Sequence, residues 1–145
     1  MDHFNLSRFI DAQASVYAEA LAELRRGEKE SHWMWFVFPQ LAGLGRSATA
    51  RFYAIGSFDE ARAYLAHPVL GLRLVECTEA TLAHPDRSAE WIFGPVDAMK
   101  FRSSMTLFEM AAEDAGTFRR ALDSFFDGVR DAETIGLLAG AGARG

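Results

Sequence analysis

The sequence holds one cysteine, Cys77, which excludes an internal disulfide and suits a reducing compartment. Within Leu74-Val75-Glu76-Cys77 it reads as a small helix residue, a nucleophilic thiol being the other use of a lone cysteine. No stretch approaches the roughly 20 apolar residues that span a bilayer, and no basic start leads into an apolar signal core. These absences point to a soluble, cytoplasmic protein without a membrane partner. Lysine- or arginine-rich blocks are missing too, and the net charge is -5. A nucleic acid polymer is therefore not the expected partner, although two or three local arginines can still hold the phosphate of a free nucleotide. The four histidines, His3, His32, His67 and His84, have no paired ligand spacing, so neither metal nor cofactor is expected. No repeat and no alternating β-branched run is present, which argues against a sheet.

What remains is helical patterning. The 145 residues suffice for one domain with its own core. Asn5 is a plausible cap for a helix from Leu6 to Arg26, ended by Gly27. Ser47 can cap a short helix, and Ser57-Phe58-Asp59-Glu60 has the form of a capping box, in which Glu60 reaches back. Proline at His67-Pro68 marks a break and a restart reaching Leu82. A short piece over 88–93 and further helices over 97–112, 117–126 and 131–138 complete the chain. The expectation is an all-α, compact single-domain bundle of six or seven short helices over 1–138, followed by a flexible tail over 139–145, whose Ala and Gly residues offer few anchors.

Three segments concentrate polar or aromatic groups. In Ser31-His32-Trp33-Met34-Trp35-Phe36-Val37-Phe38-Pro39-Gln40, the unbroken apolar run predicts a buried element, read as a helix capped by Ser31 and stopped by Pro39, with a buried strand as the alternative. Trp33 and Trp35 can wall a planar base, with His32 as donor or proton carrier and Gln40 at the core's edge. His32 fits equally well as a core histidine bonded to a carbonyl. In Gly43-Leu44-Gly45-Arg46-Ser47, the glycines Gly43 and Gly45 free the backbone to turn, Ser47 opens a helix whose amides are unpaired, and Arg46 and Arg51 add positive charge, the requirements for holding an anion. A plain glycine turn with solvated arginines is the competing account. In Met99-Lys100-Phe101-Arg102-Ser103-Ser104, Lys100, Ser103 and Ser104 fall on one face a turn apart. Lys100 can serve as acid, base or electrostatic clamp, and the serines can bond a substrate hydroxyl. The competing account bonds the serines to helix carbonyls and leaves Lys100 in solvent. Glu30 and Asp97 adjoin these segments, but spacing selects no acid-base carboxylate.

Taken together, Phe4-Asn5-Leu6, the segment from Lys29 to Leu41, Gly43-Leu44-Gly45-Arg46-Ser47, Tyr64-Leu65-Ala66-His67-Pro68-Val69-Leu70-Gly71 and Lys100 to Phe108 strongly resemble the bacterial family called domain of unknown function 1810. The likeness covers nearly the whole chain, and the family name brings no settled activity. Some members carry the label calpastatin, but nothing here resembles that disordered protease inhibitor. More distantly, the order of a histidine-aromatic helix, a Pro-x-Leu helix start, a Phe-Gly turn and a final Leu-Phe helix resembles the NADAR proteins, which act on ADP-ribose-type or ribosylated N-glycosides. Of their glutamate-histidine-aromatic motif, His32 and Trp33 match, and Ser31 stands at the glutamate position. This likeness implies Lys100 or an unlocated carboxylate at the glycosidic bond, Arg46 as phosphate ligand, and Trp33 or Trp35 as base wall. The functional expectation is a small anionic, nucleotide- or ADP-ribose-like ligand, with hydrolysis of an N-glycosidic bond as the associated reaction. The alternative is a non-catalytic protein-interaction or stress-response module. No oligomeric state is implied.

Overall fold

The computed structural model describes residues 2–144, and side chains through residue 140. Among the described residues the fold is all-α, as expected, with one isolated parallel bridge between Leu41 and Ile55. Ten helices replace the expected six or seven: α1 (Ser7–Ala14), α2 (Tyr17–Arg26), α3 (Met34–Val37), α4 (Ala48–Phe52), α5 (Phe58–Ala66), α6 (Leu70–Leu82), α7 (Ala89–Phe93), α8 (Pro95–Ala111), α9 (Gly116–Phe126) and α10 (Ala132–Arg144). The higher number arises because the expected first helix divides at Ser15-Val16, and because the short pieces expected at the aromatic segment, after Ser47 and over 88–93 each stand as a separate helix. The last helix continues beyond Leu138 to Arg144; Gly145, the end of the expected tail, lies outside the described residues.

Several caps differ from expectation in an instructive way. Asn5 does not cap α1: its backbone is left-handed (φ 53°), and the Asp2 carboxylate receives the amides of Leu6 (2.6 Å) and Ser7 (2.9 Å) instead. Ser31 does not cap α3 either, since its hydroxyl is drawn to Glu23. Ser47, Ser57 and Ser88 each accept the amide three residues on, at 3.0–3.1 Å. The return half of the Ser57 capping box is absent. Glu60 receives the Gly56 amide (2.9 Å) and pairs with Arg8 (2.7 Å), because a buried guanidinium needs a counter-charge more than a helix start needs a second cap. Arg8 spends its remaining donors on the carbonyls of Phe4, Asn5, Phe52 and Ala54, tying α1 to the segment between α4 and α5.

The core surrounds α8, which is buried over most of its length, from Ala98 and Phe101 through Ser103–Phe108 to Ala111. Packed against α5, α7, α9 and α10, and with apolar residues such as Val96, Met99 and Met110 on its exposed positions, it shows little amphipathic period in its sequence. Its aromatic centre joins Phe101 to Phe93 (stacked, 4.6 Å between rings) and to Phe38 (edge-on, 5.0 Å). Buried hydroxyls inside helices bond back one turn, Thr78 to the Leu74 carbonyl, Thr81 to that of Cys77 and Thr106 to that of Arg102, each at 2.8 Å. Cys77 is buried, and burial pushes its thiol up to about 12, which makes it a packing residue rather than a nucleophile. Gly71 packs its backbone so closely on α5 that a Cβ there would lie 2.0 Å from the Leu65 carbonyl oxygen.

Candidate functional site

Four pieces of chain enclose an open cavity of about 420 Å3: the aromatic segment, the Gly45–Ala50 turn, the first half of α8 and the start of α10. The Leu41–Ile55 bridge makes this possible. Ala42 donates to the Ile55 carbonyl and Ile55 to the Gln40 carbonyl, both at 2.8 Å, so the intervening residues are held as a closed loop over α8. Within that loop a Cβ at Gly45 would lie 2.5 Å from the Ala50 Cβ, so only glycine allows the turn to close on α4. Gly43 has φ 102° and turns the chain beside Leu137 of α10, outside the cavity lining.

The α8 wall is a helical stripe. Val96, Met99, Lys100 and Ser103 follow the i, i+3, i+4, i+7 spacing that puts residues on one face. Lys100 is not adrift in solvent: its Nζ lies 3.2 Å from Asp97 Oδ1 and 4.1 Å from the centre of the Trp35 ring. Both contacts suit an ammonium ion, so Lys100 is built as a fixed positive charge on the cavity wall. Asp97 is shared, its Oδ2 pairing at 3.0 Å with the nearly buried Lys29, which also donates to the Ser31 carbonyl (2.6 Å). Ser103 bonds back to the Met99 carbonyl at 3.1 Å. Val96 and Met99 are 66% and 69% exposed, large apolar side chains left uncovered beside charged ones.

Seven sequence-selected residues thus meet in the lining: Trp35, Gln40, Gly45, Arg46, Ser47, Lys100 and Ser103. The other selected residues lie elsewhere. His32 is exposed and outside the lining. Trp33 is fully buried, and its Nε1 donates to Glu23 (2.9 Å), so it is a core anchor rather than a ligand wall. Ser104 is fully buried and its hydroxyl has no hydrogen-bond partner among the described residues. Arg51 is exposed, because α4 presents Ala50 to the cavity in its place. At five residues α4 is also too short for a macrodipole of consequence, and positive charge comes from Arg46 and Lys100 side chains instead.

The carboxylates that spacing did not select are at the start of α10. Asp131 and Glu133 both line the cavity. Asp131 caps the helix, its Oδ2 receiving the amide (2.9 Å) and hydroxyl (2.5 Å) of Thr134, while its own amide donates to Thr106 of α8 (3.0 Å). The approach to α10 is fastened by Arg130, which makes a bidentate pair with Glu109 at 2.6 and 2.5 Å, and by Arg102, whose Nε donates to the Val129 carbonyl (2.8 Å). The Arg130 guanidinium holds the Glu109 carboxyl below its ordinary range. Asp131 and Thr134 at helix-cap spacing were the available sequence signal, as were the apolar Val96, a turn before Lys100, and Met99 next to it.

A buried carboxylate outside the cavity organises the aromatic segment. Glu23, 1% exposed, receives the amides of Glu30 (2.8 Å) and Ser31 (3.0 Å), the Trp33 Nε1 and the Ser31 hydroxyl. Burial pushes this carboxyl up, but those hydrogen bonds outweigh it and hold it at about 2. A second concavity, about 470 Å3 and larger than the first, lies between α5, α6 and the α8–α9 connection, with Leu65, Val75, Ala111 and Phe118 among its walls. Arg62, Glu113 and Asp114 lend it charge as well, but it gathers none of the sequence-selected residues, whereas the smaller cavity brings seven of them together and is taken as the candidate site.

The sequence pattern of a family described as "Protein of unknown function (DUF1810)" matches residues 3–138. A solved structure, that of the conserved hypothetical protein Rv1873 from Mycobacterium tuberculosis, is 51% identical and superposes with a TM-score of 0.93, covering 94% of this chain and 97% of that one. No curated protein matches the chain. Among the described residues, no helix is long and apolar enough to cross a membrane.

Proposed function

Because the chain belongs to the DUF1810 family, a family of unknown function, we propose a function from the site itself: the cavity between the Gly45–Ala50 turn, α8 and α10 binds a small anionic, nucleotide-like molecule. The observation that carries this reading is the placement of Lys100 on the cavity wall, its ammonium fixed by Asp97 and Trp35, in one lining with Arg46, Ser47 and Gln40. Two positive groups, a hydroxyl and an amide provide charge and donors for a phosphate or carboxylate. The volume also falls in the range of about 300–1,000 Å3 usual for small-molecule sites. Trp35 contributes by seating Lys100 on its ring, a different role from the base-stacking wall that the sequence suggested.

Cleavage of an N-glycosidic bond is a second reading, favoured by one observation. Such chemistry needs a carboxylate to stabilise a cationic sugar or activate water, and Asp131 lines the cavity with Oδ2 committed to Thr134 and Oδ1 free of hydrogen bonds among the described residues. The exposed His32 takes no part in this version.

The deciding experiment is calorimetric titration with nucleotides, ADP-ribose and phosphorylated sugars. Arg46→Ala and Lys100→Ala are expected each to weaken binding about 10- to 100-fold, the loss of one charge-assisted contact, with the thermal midpoint little changed. Retained affinity in both variants would overturn the assignment and favour the non-catalytic interaction module. Asp131→Asn keeps a good helix cap, so loss of base release with binding retained would support hydrolysis. Equal turnover in that variant would remove Asp131 from the chemistry.

A further inference from the structure

Lys29 does not line the cavity, but its ammonium reaches the cavity wall through Asp97. Its side chain is 7% exposed, and its Nζ donates to the Ser31 carbonyl (2.6 Å), pairs with Asp97 Oδ2 (3.0 Å) and lies 4.9 Å from the centre of the Trp33 ring. The backbone is fastened as well, the Lys29 amide donating to the Ile92 carbonyl (2.7 Å) and Glu23 receiving the next two amides. Burying an ammonium is costly. A neutral donor would tie this segment to α8 at less cost, so the charge itself calls for an account.

Asp97 supplies it. Its oxygens are divided, Oδ2 to Lys29 and Oδ1 to Lys100 at 3.2 Å, so one carboxylate faces two ammonium ions, and all three side chains are at most 21% exposed. Glu109 is shared in the same way by Arg119 and Arg130, but those side chains are 59% and 35% exposed, and water offsets their excess charge. The cavity lining holds two cations, Arg46 and Lys100, and two carboxylates, Asp131 and Glu133. Asp97, in contact with Lys100, tips that balance to acidic unless a further cation neutralises it. Resting on the anion-binding reading above, we infer that Lys29 sets the charge of the site: it neutralises Asp97, so that Asp97 holds Lys100 in place without cancelling the positive charge that Lys100 offers an anion. Lys29 is a positioning residue, acting through Asp97 and touching no ligand. One elementary charge several ångströms from the ligand, in a partly screened site, changes affinity about five- to tenfold.

The test is calorimetric titration of the full chain with inorganic pyrophosphate, in the native protein, Lys29→Gln, the double variant Lys29→Gln/Asp97→Asn, and Arg46→Ala. Lys29→Gln keeps a donor for the Ser31 carbonyl and removes the charge, leaving Asp97 to Lys100 alone. Its affinity is expected to fall about five- to tenfold, the gap narrowing as salt is raised. Lys29→Met, a second neutral variant of similar length, is expected to show the same loss. The double variant removes one charge of each sign, so its affinity is expected to return to within about twofold of native. A purely structural role for Lys29 predicts the reverse, the second substitution adding to the loss. A double variant no tighter than Lys29→Gln, or neutral variants that bind like the native protein, overturns the charge-setting role, while native binding that is lost in Arg46→Ala leaves the anion site standing. No binding by the native protein overturns both.

Discussion

Glu23 illustrates how one side chain controls a segment that carries site residues. Its carboxylate gathers two backbone amides, a hydroxyl and an indole nitrogen, so the chain from Glu30 to Trp33 has little freedom, and Trp35 follows immediately at the cavity. Because the folded carboxyl is held at about 2, below its ordinary value of 4.5, it contributes stability in full above pH 4.5. That contribution, about 3 kcal/mol, is lost as pH falls from 4.5 towards 2. Denaturant titrations from pH 7 to pH 2 should show this loss in the native protein and a shallower one in Glu23→Gln. Glu23→Ala should cost about 3 kcal/mol at pH 7, since the buried Trp33 nitrogen and two amides lose their acceptor. An unchanged acid limb in Glu23→Gln would mean that other carboxyls set the acid stability.

At the scale of elements, the α5–α6 contact depends on the absence of a side chain. A Cβ at position 71 would meet the Leu65 carbonyl oxygen and carbon, backbone atoms that cannot rotate away. Gly71→Ala should therefore cost at least about 2 kcal/mol despite alanine's better helix propensity, lowering the thermal midpoint by roughly 5 °C or more. A stabilised variant would show that α5 can slide. The sequence displayed such elements unevenly. Ser47, Ser57, Gly27 and the break at His67-Pro68 were legible because caps and breakers act within a few residues. The division of α1 from α2, and the diversion of Ser31 and Glu60 from helix caps, were not, because distant partners decide them: Glu23 lies eight residues from Ser31, and Arg8 fifty-two from Glu60. The site followed the same rule. Arg46 and Lys100 stand in local motifs, whereas Asp131 and Glu133 reach the cavity only through the packing of α10 on α8.

For the molecule as a whole, the cavity joins parts remote in sequence: a loop closed by one bridge, a central buried helix and the last helix, fastened through Arg130 and Thr106. A ligand that touches all of them favours the folded state, so its affinity is readable as a rise in thermal midpoint, about 2.7 kcal/mol of stabilisation at a concentration one hundred times Kd. The seat of Lys100 over Trp35 has an optical consequence as well. The three tryptophans occupy different surroundings: Trp33 is sealed in the core, Trp91 is 62% exposed, and Trp35 lies under an ammonium ion. An anion that draws Lys100 away uncovers the Trp35 ring, so the emission of a Trp91→Phe protein should change on nucleotide addition, and Lys100→Met should mimic part of that change without ligand. If the cavity binds an anion as proposed, that one contact between Lys100 and Trp35 makes tryptophan emission a gauge of whether the cavity is filled.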